Sequence, residues 1–106
     1  MFREDYLMKM VQQLAEYLVK IAKLRDAGEL EQALAAVDEA LETLFGDDHT
    51  LLQQLDPLSA ARMLSHPERK TAYAKLLEEE AIIYLKMGEI QLTERLRKRA
   101  KLVESA

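Results

Sequence analysis

Apolar residues recurring three and four positions apart dominate this chain and commit it to helices. Leu7, Met10, Leu14, Tyr17, Ile21 and Leu24 hold that spacing through about three heptads. Val11 and Leu18 widen the seam, so the helix predicted over Arg3 to Ala27 offers apolar surface to more than one neighbour. No stretch alternates with the period of two that a half-buried strand needs. Three Gly and two Pro in 106 residues also supply few of the tight turns of a β-sandwich.

The breakers fall between the periodic runs. Ala27-Gly28 predicts the end of the first helix, since Gly accepts the left-handed conformation of a helix C-cap. The second helix is expected over Glu29 to Phe45. Leu30, Leu34, Val37, Leu41 and Leu44 form its apolar face, and Ala33 and Ala40 are small enough to let it lie close to the first. Gly46 stops it, and Asp47 or Asp48 can cap a short helix through Leu55. Asp56-Pro57 reads as N-cap and first residue of another short helix ending near Leu64. Ser65-His66-Pro67-Glu68 fits a capping box with Ser65 as N-cap. It opens a long helix to Met87, with Tyr73, Leu76, Leu77, Ala81 and Tyr84 on one face; Gly88 breaks the run and a last helix goes from Glu89 towards Val103. The expected fold class is all-α, with about four main helices and two short ones in one domain.

One segment recurs. Leu24-Arg-Asp-Ala-Gly28-Glu-Leu30 returns as Tyr84-Leu-Lys-Met-Gly88-Glu-Ile90, each copy between two helices. In the first copy Leu24, Gly28, Leu30, Ala33 and Ala40, and in the second Ala81, Tyr84, Gly88, Ile90, Thr93 and Ala100, resemble the large–glycine–large–small pattern of the tetratricopeptide (TPR) hairpin. The chain departs from that pattern in lacking its Trp and its closing Pro, and in placing Ile21 where a small residue belongs. The resemblance implies TPR-like antiparallel hairpins near 14–47 and 74–106, with a short helical insert over 48–73. The whole chain, from its opening Met1-Phe2-Arg3-Glu4-Asp5-Tyr6-Leu7-Met8, also resembles a small bacterial family of TPR-like proteins to which no activity is attached.

Charge and composition narrow the function classes. Cys is absent, which removes disulfides, thiolate nucleophiles and Cys-based zinc sites and fits a reducing compartment. The acidic N-terminus lacks the pattern of a secretory signal, and the longest charge-free run is His49 to Leu55, far short of a membrane span. The expectation is a cytoplasmic chain, close to complete, that does not enter a membrane. Residues 1–25 carry a net +2, residues 26–61 carry −9 with no Lys or Arg, and residues 62–106 carry +3. An acidic middle between basic ends points to charge pairing, within the chain or between chains, more than to nucleic acid.

The candidate sites are sparse. Asp47-Asp48-His49 is the nearest approach to a metal or acid–base cluster, but three adjacent polar residues after Gly46 read more simply as a turn and an N-cap. His66, at a helix start, is expected to be exposed. With two His, no Cys and no Gly-rich phosphate loop, no familiar catalytic constellation assembles, and neither enzyme activity nor a cofactor is expected.

Two surfaces stand out instead. Arg95, Arg97, Lys98, Arg99 and Lys101 place five bases within seven residues. In a hairpin turning at Gly88, Glu78, Glu79 and Glu80 would lie opposite them and neutralise them. The other surface is the seam of the first helix, where Leu7, Met10, Val11 and Leu14 could pack inside the monomer or across a homodimer axis. Leu51, Leu52, Leu55, Leu58, Met63 and Leu64 make the insert apolar enough to cover one end of the helix stack. The leading expectation is a non-enzymatic helical protein–protein interaction module, self-associating as a homodimer. The alternative is a small nucleic-acid-associated regulator using the basic helix, and a small-ligand carrier or enzyme comes third.

Overall fold

The computed structural model describes residues 2–106, with side chains from residue 4 onward; among them are six α-helices and no strand. They are α1 (Phe2–Asp26), α2 (Leu30–Phe45), α3 (Asp48–Gln54), α4 (Pro57–Leu64), α5 (Pro67–Lys86) and α6 (Ile90–Ser105). Helix α2 folds back on α1 and α6 on α5. Helix α5 also lies against α1 and α2, and α4 lies in turn against α5 and α6. The buried apolar residues form one cluster, with Ile21, Val37, Leu41, Leu52, Leu64, Tyr73, Leu76 and Ile83 among them. Among the described residues no helix is long and apolar enough to cross a membrane.

The recurring segment forms the same turn twice. Gly28 and Gly88 have φ of 78° and 84°. In the first turn Glu29 N–H donates to Leu24 O at 2.9 Å and Gly28 N–H to Arg25 O at 3.0 Å; in the second, Glu89 N–H donates to Tyr84 O and Gly88 N–H to Leu85 O at the same two distances. This pairing closes a helix with a Schellman motif, and only Gly enters its left-handed position without strain. A Cβ added at either Gly would meet nothing within 4 Å, so the penalty for a side chain comes from the backbone alone. Gly28→Val or Gly88→Val is therefore expected to cost about 1–2 kcal/mol in denaturant unfolding, and Asn at either position clearly less.

Asp56 caps α4 as its sequence suggests. Its carboxylate accepts from Ser59 N–H at 3.2 Å and from the Ser59 hydroxyl at 2.6 Å, and these bonds hold its pKa below the ordinary carboxylate value. The capping box expected at Ser65 does not form. Helix α5 starts one residue later than that box requires, with His66 as N-cap. Ser65 instead ends α4, with φ 66° and ψ −44°, and His66 N–H donates to Leu64 O at 2.8 Å across it. A γ-turn with positive φ is a strained conformation for any side-chain-bearing residue. Ser65→Gly is accordingly expected to raise stability by up to about 1 kcal/mol, the relief exceeding the added chain entropy; no gain in unfolding midpoint would contradict it.

The insert lies on the core as expected, though not with all six residues. Leu52 and Leu64 are fully buried and Leu55 and Met63 pack against the core, whereas Leu51 and Leu58 face outward.

Candidate interaction surface

The basic run divides in two on α6. Arg95, Arg97, Lys98 and Lys101 are exposed, while Arg99 turns inward. Its Nη1 donates to Leu55 O at 2.8 Å, its Nη2 to Leu52 O at 2.5 Å, and Nε and Nη2 both reach the Tyr73 hydroxyl at 3.3 Å. The guanidinium carbon lies 5.8 Å from the Tyr73 ring centroid. With two nitrogens on the hydroxyl, it sits at that end of the ring and is held by hydrogen bonds rather than by the ring face. Arg99 thus caps the C-terminal carbonyls of α3 and belongs to the structure, not to an interaction surface. Beyond Tyr73, the Phe45 ring packs edge-on at 5.7 Å, and the Arg69 guanidinium lies 5.6 Å from the Phe45 centroid.

The expected pairing of Glu78, Glu79 and Glu80 with this run holds only in outline. Glu78, Glu79 and Glu104 share a groove of about 700 Å³ with Arg97, Lys98, Lys101 and Ile82. Among the described residues, however, no ion pair joins α5 to α6. Glu79 instead accepts from Arg25 of α1 in a largely buried ion pair. Glu80 turns towards α2, where burial first and then the Asp38 charge raise its pKa to about 7. Tyr84, one turn further along, is pushed up by burial and then by Glu80, Asp38 and Glu89.

The α1 seam also divides. Met10 (2% exposed) and Leu14 (8%) are core residues of the monomer, and Leu7 packs half-buried beside them. Val11 is different, at 51% exposed. With Met8 (67%), Val19 (56%) and exposed Ala15 it forms a second apolar stripe, spaced three, four and four along α1. Only Val11 of this stripe was legible as a surface residue. Met8, Ala15 and Val19 carry the same helical spacing as Val11, but beside a seam already rich in apolar positions their spacing does not single them out. Glu4 and Asp26 close the stripe at its two ends.

The Asp47-Asp48-His49 run is a turn and helix start, with Asp47 at the N-cap of α3 and His49 buried in the following turn. His66 is half-buried rather than exposed. Among the described residues no three His, Asp or Glu side chains converge closely enough to hold a metal ion. The chain defined by these features is an all-α bundle of two hairpins and a helical insert, bearing an apolar stripe on α1 and a mixed-charge groove between α5 and α6. Compared with protein-family models, curated proteins and solved structures, it matches none.

Proposed function

We propose that this protein is a non-enzymatic helical interaction module of TPR-like hairpin build, acting in the cytoplasm through an exposed helix face. The observation that carries the reading is the α1 stripe. Met8, Val11 and Val19 are each more than half exposed on one side of a helix whose other side is core, and contiguous exposed apolar residues mark contact surfaces. The TPR-like build is supported by the two matching turns and by α5 lying against both helices of the first hairpin. The absence of Cys suits the cytoplasm.

The test is affinity purification from the native host with the wild-type chain and with the double variant Met8→Glu/Val11→Glu. A stoichiometric protein partner that is lost with the variant is the expected result. Equal capture by both would count against the stripe.

The four exposed bases of α6 favour one second reading, a nucleic-acid-associated regulator. The acids Glu78, Glu79 and Glu104 in the same groove weigh against it, as does the lack of an aromatic residue among the bases. Retention on generic DNA or RNA is expected to be undetectable near physiological salt. A tight complex with a steep salt dependence would instead establish the second reading.

A further inference from the structure

We infer that the occupant of the α1 stripe is a second copy of this chain, the two α1 helices lying antiparallel across a two-fold axis. This rests on the reading of the stripe as a contact face and adds the identity of the partner.

Charge singles out this partner. Helical spacing of 3.6 residues per turn places Asp5, Glu16 and Lys23 along one flank of the stripe, with Lys9 just behind. All four are exposed and have no ion-pair partner among the described residues. In chain order their signs run minus, plus, minus, plus, so the same flank read backwards carries the opposite sign at each place. An antiparallel two-fold pair sets like flank against like flank. It brings Asp5 of each copy to Lys23 of the other, and Glu16 within reach of Lys9. A parallel pair would leave these charges without complements.

Shape agrees with charge. At this register the stripes interleave, with Val11 of one copy between Ala15 and Val19 of the other. The two Ala15 side chains flank the axis and are small enough for the helices to approach to about 8–10 Å. The opposed helix dipoles add to the fit. Asp26, which comes near the second copy's Glu4, is partly offset by Arg25 at 3.3 Å, a charge it shares with Glu79.

Light scattering and sedimentation over a concentration series of the purified chain supply the test. The mass is expected to rise from 12.2 kDa towards twice that value, with dissociation in the micromolar range for so small an interface. Val11→Glu should weaken dimerisation at least about tenfold. Because Val11 is exposed, its thermal unfolding at low concentration should stay close to wild type. Lys23→Glu should weaken the pair, and adding Asp5→Lys should restore it.

Cysteine substitution gives an independent readout in a chain that has no Cys. Ala15→Cys should cross-link to itself under mild oxidation. Met8→Cys alone should not, since the two Met8 positions lie roughly 18 Å apart along the antiparallel pair. A strict monomer at roughly 100 µM, a dimer indifferent to Val11→Glu, or efficient Met8→Cys self-cross-linking would each overturn the inference. The contact-face reading fails separately. A monomer whose captured host partner is still lost with Met8→Glu/Val11→Glu sinks only the self-pair, and a monomer with stripe-independent capture sinks both.

Discussion

Arg99→Ala is expected to destabilise the fold by about 3 kcal/mol, although the residue lies in the most basic stretch of the chain and resembles its exposed neighbours. Its guanidinium satisfies three acceptors at once: Leu52 O, Leu55 O and the Tyr73 hydroxyl. Tyr73 is a fully buried ring, and its hydroxyl depends on this partner. Hydrogen bonds to a charged donor are worth about 1.5–3 kcal/mol, and removing one partner strands the others at a desolvation cost of similar size. For a domain of this length that amounts to a fall in melting temperature of roughly 15 °C. Arg99→Lys should recover only part of the loss, because an ammonium keeps the charge but not the planar fork that reaches both carbonyls and the hydroxyl. Substituting the neighbouring Arg97 or Lys98 by Ala should change the melting temperature by no more than about 2 °C, as expected for exposed charges. Equal effects at Arg99 and Lys98 would show that the capping contact contributes little.

Glu80→Gln is expected to stabilise the protein, and to do so only above mildly acidic pH. Burial between α5 and α2, reinforced by the Asp38 charge, raises the Glu80 pKa from its ordinary 4.5 to about 7. Below about pH 4.5 the carboxyl is protonated in both the folded and the unfolded chain, so it costs nothing. Between about 4.5 and 7 the unfolded chain ionises while the folded one holds its proton, and stability falls as pH rises. Above about 7 both forms are ionised and the full cost of the buried charge is present. One pKa unit corresponds to about 1.4 kcal/mol, so the gain of Glu80→Gln over wild type should climb to roughly 3 kcal/mol at pH 8. Asp38→Asn should give a smaller gain in the same direction, since Asp38 is the lesser of the two causes. Chemical denaturation of wild type and variants at half-unit pH steps checks this. A difference that does not vary with pH would mean that Glu80 is not the titrating group.

The helices were legible because their signals are local. Three-and-four spacing, the Asp56-Pro57 start and the two glycines at 28 and 88 each fix an element through a few adjacent residues, and each is found where the sequence puts it. Ser65 was misread because the local motif competes with a turn set from both sides. Helices α4 and α5 are separated by Ser65 and His66 alone, and the chain reverses through Ser65 instead of capping there. Met10 and Leu14 could not be told from Val11 by spacing, because which side of α1 is covered depends on where α5 packs, a long-range fact. Arg99 carried a usable hint. It sits in step with Leu92, Leu96 and Val103 on the apolar side of α6, where a base has to find acceptors, whereas Arg95, Arg97, Lys98 and Lys101 fall outside that period.

The position of α4 has a consequence for growth. Helix α5 lies against both helices of the first hairpin, and α4 lies against the second hairpin, mainly against α6. A segment that comes before the last hairpin in sequence therefore occupies the berth where the first helix of a following hairpin would dock. Repeat arrays lengthen by adding units at such berths, and here the berth is filled from within the same chain. That end of the bundle is covered by α4, while the Met8, Val11 and Val19 side of α1 lies open. If the α1 stripes pair as inferred above, the contact is isologous and closes on itself at two copies, and α4 covers the end at which a further hairpin would otherwise be added.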